Sequence, residues 1–418
     1  MRTSNYNLVK KIKNKGYLVF NTLFQSLVFV SKADYSDFVN CNQNNINYET
    51  WKSEHLITNL NDEYKQTYTK MYGNENDKQI LTIYTTTACN ARCAYCFEKG
   101  ITPITIKKED CKKLAKSIIG NINAKWLHIT WFGGEPLINT YAIEEITKLV
   151  KEHCEKNNIK YTASIITNGS LITKEIANKM QNEWEFKAVQ ITLDGLEKTY
   201  NKIKGYADGS NFNKVINNIK ILTKIGQKVT IRVNFDKNNL KNALKLVRFL
   251  NKQQLTSDKI NIYFAPITTT KGNDKTKKEL NKQYNKIFNK LIKYGYLKNL
   301  NYFHFHLARY HCQAEQPNCF CLFPNGKTSK CQREKPEHSK ISIYDDNFLQ
   351  KLNLQWNTNC KNKNFDECKT CKSLPHCQGG CKIKNYEYLT KNHCDVCYMY
   401  KDAMPAILNA LAKIYLNA

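Results

Sequence analysis

Between Gln79 and Ile267 the chain switches repeatedly between two rhythms of apolar and polar residues. Short runs rich in Ile, Val, Thr, Tyr and Phe read as buried strands: "QILTIYTT", "WLHITWF", "YTASIITNG", "KAVQITLDG", "KVTIRVNFD" and "KINIYFAPI". Between them, apolar residues recur at three- and four-residue intervals in "KKEDCKKLAKSII", "YAIEEITKLVKEHCEK", "ITKEIANKM", "FNKVINNIKILTKI" and "LKNALKLVRFLNKQ", which predicts amphipathic helices. This alternation predicts a parallel sheet with right-handed crossovers, either an open doubly wound sheet or an incomplete (β/α) barrel. In both, chemistry gathers at the carboxyl ends of the strands. CxxxCxxC (Cys89, Cys93, Cys96), "GGEP" (Gly133, Gly134, Glu135, Pro136), "TNG" (Thr167, Asn168, Gly169) and "LDG" at Asp194 all fall there.

The flanks follow other rules. Residues 1–75 read as a small α/β module: "YLVFNTLFQSLVFVSK" predicts a hairpin, with helices near 33–40 and 47–58. Residues 268–283 are polar and charged, a linker or a solvated helix start. Beyond residue 310 the chain is cysteine-dense and loop-rich, as in a domain held by metal more than by a large core. An apolar-periodic helix closes residues 399–417. The expected domains are therefore 1–75, 76–309 and 310–418.

No run of 18 apolar residues predicts a membrane span, and the N-terminal apolar patch, cut by Asn and Gln, lacks the pattern of a signal peptide. A cytoplasmic protein without membrane attachment is expected. The net charge of +28 raises the question of nucleic acid. However, only Arg2, Arg92, Arg232, Arg248, Arg309 and Arg333 among the 64 basic residues are arginine; the lysines are scattered beside abundant Asn, as an AT-rich coding bias would leave them. No arginine cluster or basic stripe marks a nucleic-acid face.

The 17 cysteines change the picture most. Cys41, Cys111 and Cys154 stand alone and read as buried small hydrophobes. Three fall in the 89–96 loop, and eleven lie between Cys312 and Cys397. Without a secretion signal, clustered spacings of this kind point to metal instead of disulfides. An iron–sulfur cluster normally takes four thiolates, so three on one loop leave an iron open for a substrate or cofactor, as a catalytic site requires. A three-cysteine zinc site is the plainer alternative.

With Tyr95 just before its third cysteine, "CNARCAYCF" resembles the signature of radical S-adenosylmethionine (SAM) enzymes, and the resemblance extends over residues 79–265. It implies a partial (β/α)6 TIM-like barrel, with a [4Fe–4S] cluster on Cys89, Cys93 and Cys96 whose open iron is chelated by SAM. Reductive cleavage of SAM would then give a 5′-deoxyadenosyl radical that abstracts hydrogen from substrate. The resemblance also brings Tyr95 and Gly133, Gly134, Glu135 and Pro136 to the cofactor, the GGEP segment at its methionine amino group. It sets Thr167 and Asn168 near the ribose, then Asp194, and Asn234 at the fifth strand end. Ten residues beyond Asp194, where many relatives carry Arg toward the SAM carboxylate, stands Lys204, a point charge in place of a bidentate clamp.

"CKTCKSLPHCQGGC" reads Cys368-x2-Cys371-x5-Cys377-x3-Cys381. Upstream, Cys312 is followed by thirteen residues, Gly326, four more and Cys331, and Cys397 lies downstream. This is similar to the SPASM domain, a C-terminal extension of radical SAM enzymes that modify peptides. It implies two auxiliary [4Fe–4S] clusters, one on Cys312, Cys331, Cys381 and either Cys319 or Cys321. The other would sit on Cys368, Cys371, Cys377 and Cys397, with Cys394 competing for the last place and Cys360 unassigned. A zinc ribbon is the alternative, though it needs only four ligands per site.

The resulting expectation is a maturase that crosslinks a ribosomally made precursor peptide (thioether, carbon–carbon or related), fed by a reductant such as flavodoxin or ferredoxin. The N-terminal module would grip a leader peptide or merely cap the barrel. Sulfatase maturation comes second, because Gln332 follows Cys331 where those enzymes carry an Asp base. His304, His306 and His311 are candidates for a general acid or base, or surface residues. An iron–sulfur electron carrier and a zinc-stabilised nucleic-acid binder are the readings from other classes.

Overall fold

A computed structural model describes residues 1–63, 65, 77–267, 274–298, 312–359, 371–377 and 403–417. The chain groups into two compact units: Asn76–Thr269 with Cys312–Thr358, and Met1–Glu75 with Thr270–His311 and Asn359–Ala418.

The first unit is built on one sheet. Its strands are β1 (Lys78–Thr86), β2 (Trp126–Gly133), β3 (Lys160–Thr167), β4 (Phe186–Thr192), β5 (Val229–Phe235), β6 (Ile260–Pro266), β7 (Phe320–Leu322) and β8 (Thr328–Ser329). They lie in the order β6-β5-β4-β3-β2-β1-β7-β8, parallel from β6 to β7, with β8 antiparallel at the edge. Six successive strands in unbroken sequential order decide between the two architectures. A doubly wound sheet reverses its strand order at a switch point, whereas right-handed crossovers without reversal put every helix on one face. The fold is a partial TIM-like barrel.

The intervening helices are α1 (Cys111–Ile119), α2 (Thr140–Lys156), α3 (Lys174–Asn182), α4 (Glu197–Lys204), α5 (Phe212–Lys224) and α6 (Leu240–Lys252). All but α4 bury an apolar stripe against the sheet; on α6 it is Leu240, Ala243, Leu246, Val247 and Leu250. Side chains of Asn139, Thr173 and Asn211 accept the first free N–H groups of α2, α3 and α5 and fix where those helices begin. The strands alternate accordingly: Leu127, Ile129 and Trp131 of β2 are fully buried, while half-buried His128 and Thr130 between them bond Thr162 and Ser164 of β3.

The cysteine-dense segment is more ordered than expected. Phe320–Leu322 adds to the free edge of β1 as a seventh parallel strand, pairing Cys321 with Thr82. Helix α7 (Phe348–Asn359) follows, burying Phe348, Leu352 and Trp356 at four-residue spacing. Helix α4 also went unread in the sequence.

In the second unit the expected hairpin, Gly16–Asn21 with Leu27–Ser31, gains a third antiparallel strand, Asn7–Ile12. Helices Tyr35–Asn40 and Tyr48–Ser53 enclose a core of Val19, Val30, Phe38, Trp51, Leu56 and Ile57. The second helix stops short of residue 58 because Ile57–Thr58 pairs with Arg2–Thr3. The polar stretch expected as a linker or a solvated helix start turns helical at Asp274 and runs to Lys293. It lies against the closing helix Met404–Asn417, and Asn409 donates to Asn285 at 2.9 Å. Among the described residues no helix is long and apolar enough to cross a membrane.

Candidate active site

The loop carrying Cys89, Cys93 and Cys96 leaves the end of β1, and its root is stitched to the end of β2. Gly134 N–H donates to Thr86 O at 3.1 Å and Glu135 N–H to Ala88 O at 2.9 Å. A Cβ on Gly133 would stand 2.0 Å from Thr86 O, and one on Gly134 2.3 Å from Ala88 O. Gly133 also has φ +121°, a conformation costly for any side chain. Here the two glycines admit the backbone of the cysteine loop itself. Pro136 opens the 3₁₀ turn Pro136–Asn139 and accepts from Thr85 Oγ1 at 2.9 Å, adding a further tie to β1.

Glu135 is fully buried. Its carboxylate accepts from Thr167 Oγ1 (2.7 Å), Asn168 N–H (2.7 Å) and Leu137 N–H (3.2 Å). Burial raises its pKa, against the pull of these donors. Asn168 in turn donates to Asn90 Oδ1 at 2.8 Å, and Asn90 donates to Ser170 Oγ and Asp208. The TNG and GGEP segments thus hold one another, and Asn90, the residue after Cys89, ties the cysteine loop to both. Asn90 was not singled out in the sequence; its place beside the first cysteine was the available signal.

A second buried network joins the remaining candidates. Asp194 accepts from the Tyr95 hydroxyl and from Asn234 N–H (2.8 Å), and lies 3.6 Å from Lys204 Nζ. Asn234 Nδ2 donates to Tyr95 Oη at 3.3 Å, and its Oδ1 accepts from Arg232 Nε at 2.9 Å. Asp194 and Lys204 are almost wholly inaccessible. Burial disfavours the Lys204 ammonium, but the oxygens of Tyr95 and Asp194 outweigh it and hold its pKa well above the ordinary value. Burial drives the Tyr95 phenol strongly upward. The loop is held here too, since Arg92 N–H donates to Lys204 O at 2.7 Å.

The three thiols are half-buried; desolvation lifts Cys89 to about 11 and raises Cys96. Such thiols give up their protons to a cation of high charge. Among the described residues no three His, Cys, Asp or Glu side chains gather about a single-ion position. The donor set, three thiols spread over one desolvated loop, fits a larger metal–sulfur body.

Residues 83–250 match the model of the radical SAM superfamily. The chain carries a radical SAM domain. It is similar to the cysteine-type anaerobic sulfatase-maturating enzyme of Clostridium novyi, 26% identical over 70% of this chain and 85% of that one. It is also similar to the radical SAM cyclopropyl synthase TigE of Paramaledivibacter caminithermalis, 27% identical over 41% of this chain and 40% of that one. Among solved structures, native anSMEcpe with bound AdoMet and Kp18Cys peptide superposes with a TM-score of 0.66 at 21% identity, covering 82% of this chain and all of that one. This domain and its enzyme relatives support an enzyme, and the superfamily implies SAM and a [4Fe–4S] cluster.

Beside the radical SAM loop stands a second group of cysteines. Cys319 and Cys321 lie on the β7 arm and Cys331 just beyond β8; Cys319 and Cys321 are buried, Cys331 half-buried and Cys312 exposed. Ile80 N–H donates to Cys319 Sγ at 3.2 Å, tying this group to β1. Tyr84 lies between the two groups. Its ring packs on Phe132 and Phe323 next to Cys321, and its hydroxyl donates to Gln332 O at 2.6 Å. Burial, then Cys321, Glu98, Cys331 and Cys96, raise its pKa. Glu98, two residues past Cys96, has a buried Oε1 without a hydrogen-bond partner and is lifted by burial to about 7. His128 in the strand face is pushed down to about 4 by burial, then by Lys78. Neither was singled out in the sequence. In the other unit Cys377 is buried and Cys371 half-buried. His304, His306, His311, Cys360, Cys368, Cys381, Cys394 and Cys397 lie outside the described residues.

Proposed function

We propose that this radical SAM enzyme matures a ribosomally made peptide, installing a thioether, carbon–carbon or related crosslink. When bound, the cluster and SAM supply a 5′-deoxyadenosyl radical. Cys89, Cys93 and Cys96 hold the cluster, the GGEP and TNG segments anchor their loop, and Lys204, set by Asp194 and Tyr95, provides the cation for the SAM carboxylate. Cys312, Cys331, Cys381 and Cys319 or Cys321 hold one auxiliary cluster; Cys368, Cys371, Cys377 and Cys397 hold the other. Bound there, the auxiliary clusters would supply an electron acceptor, and a flavodoxin or ferredoxin in the cytoplasm would supply the reductant. The sheet Asn7–Ile12, Gly16–Asn21, Leu27–Ser31 has strands paired on one side only among the described residues, and such an edge suits a leader peptide added as a strand.

The observation that carries this reading over its rival is Gln332. An amide next to Cys331 cannot take the proton that an Asp takes in sulfatase maturation. The rival, formylglycine formation, draws support from relatives named as cysteine-type sulfatase-maturating enzymes. One experiment separates them. Anaerobic enzyme with SAM and dithionite is offered two substrates, the short peptide encoded beside its gene and a cysteine-bearing sulfatase peptide, and products are read by tandem mass spectrometry. A crosslinked, dehydrogenated gene-neighbour peptide supports the proposal. Formylglycine in the sulfatase peptide alone overturns it.

A further inference from the structure

Lys330 is a fully buried lysine that no acidic side chain among the described residues neutralises. Its side chain is 2% exposed. The ammonium donates to Gln316 O at 2.6 Å, Cys319 O at 2.7 Å and Asn353 Oδ1 at 2.8 Å, using all three of its protons on neutral acceptors. No carboxylate among the described residues comes within ion-pair distance of it. Glu334, the near acid, turns instead to the backbone N–H groups of Lys330 and Cys331.

A desolvated charge without a counter-charge is strongly unfavourable, and proteins retain one where an anion completes the site. The groups in electrostatic reach of Lys330 that can become anionic are Cys319, Cys321 and Cys312, with Cys331 next in sequence. They reach it because of the hairpin. Cys319 precedes β7 and Cys321 lies within it, β8 returns antiparallel with Ser329 opposite Cys321, and Lys330 and Cys331 follow at once. Asn353 of α7, itself donating to Pro317 O at 2.9 Å, closes the far side and fixes the ammonium in place.

We propose that Lys330 is the fixed counter-charge of the metal–sulfur cluster held by this cysteine group, a positioning residue that sets how easily that cluster accepts an electron. The inference rests on the auxiliary-cluster reading above. A cluster on thiolates is anionic and gains one more negative charge on reduction, so an ammonium held beside it favours the reduced form. With Lys330 in place this cluster is a better electron acceptor than its partner group would be alone.

The test uses the full chain with Cys89, Cys93 and Cys96 replaced by alanine, reconstituted with iron and sulfide, so that only auxiliary clusters remain. Iron content and EPR-monitored redox titration are compared for this protein and for its Lys330→Met and Lys330→Arg versions. Lys330→Met is expected to load the same iron and to lower one potential only. The shift corresponds to roughly a tenfold smaller reduced-to-oxidised ratio at fixed poise, the weight of a unit charge about 12 Å from the cluster's added electron at an effective dielectric of about 20, or about 59 mV for one electron. Lys330→Arg is expected to restore it. Iron loaded in full with every potential unmoved in Lys330→Met overturns the inference. Absence of cluster iron from the triple-alanine parent overturns the auxiliary-cluster reading instead. Iron lost in Lys330→Met but kept in Lys330→Arg supports a required positive charge. Iron lost in both overturns the counter-charge role.

Discussion

Gly134→Ala tests the claim that the GGEP segment serves as the seat of the cysteine loop. The added Cβ would lie 2.3 Å from Ala88 O, 2.6 Å from Ala88 C and 2.7 Å from Thr87 O. All three are backbone atoms, so no rotamer change relieves the clash; the loop root must retreat by about 1 Å to reach ordinary contact. Overpacking of this kind costs about 1–3 kcal/mol. The retreat also breaks Gly134 N–H to Thr86 O and Glu135 N–H to Ala88 O, each worth about 1 kcal/mol. The expected loss is about 3–5 kcal/mol, concentrated on the loop that carries Cys89. Gly209→Ala is the control: Gly209 has φ +76° but nothing within 4 Å of a new Cβ, so it carries backbone strain without a clash, about 1 kcal/mol. Urea unfolding and iron per chain are measured under anaerobic conditions for both variants. Gly134→Ala should unfold at lower urea than Gly209→Ala and load less iron. If the two unfold together and bind iron equally, the seat has been misassigned.

Other expectations follow from the same interactions. Asp194→Asn leaves the buried Lys204 without its anion and should cost about 3–5 kcal/mol by urea unfolding, with weaker SAM binding by calorimetry. An undisturbed midpoint would show that Lys204 finds another partner. His128 has a pKa depressed to about 4, so its neutral form contributes stability above its unfolded value near 6.5 that is lost as pH falls toward 4. His128→Gln should therefore flatten the acid limb of a urea-midpoint profile between pH 7 and 4; a limb of unchanged slope counts against this. Cys96→Ala should abolish reductive SAM cleavage, read as 5′-deoxyadenosine by chromatography, while most C-terminal iron remains. Persisting cleavage would remove the 89–96 loop from the radical chemistry.

The strand–helix series was legible because each strand is buried on its helix side and each of the five expected helices carries a clear apolar stripe. Helix α4, "EKTYNKIK", escaped because it buries only Tyr200 and Lys204, and a buried lysine leaves no apolar mark in a sequence. Helix α7 carries a stripe of Phe348, Leu352 and Trp356, but it is embedded in a cysteine-dense segment whose composition reads as loop. The partners of the candidate residues were harder to foresee. Asp194 and Lys204 could be picked by position, but their mutual neutralisation, and the role of Arg232 in orienting Asn234, depend on strands brought side by side. Asn90, Glu98 and Lys330 are ordinary polar residues in a chain rich in Asn and Lys. Burial singles out Lys330 and the Glu98 carboxyl, while half-buried Asn90 is marked by its hydrogen bonds and, in the sequence, only by its place after Cys89.

The pairing of Phe320–Leu322 with β1 bears on how such a protein is cut into pieces. A fragment ending before residue 312 would keep the cysteine loop but leave the opposite edge of β1 with unsatisfied amides, an invitation to self-association. Attempts to express the catalytic half alone should therefore end at or beyond residue 358, where the compact unit itself ends.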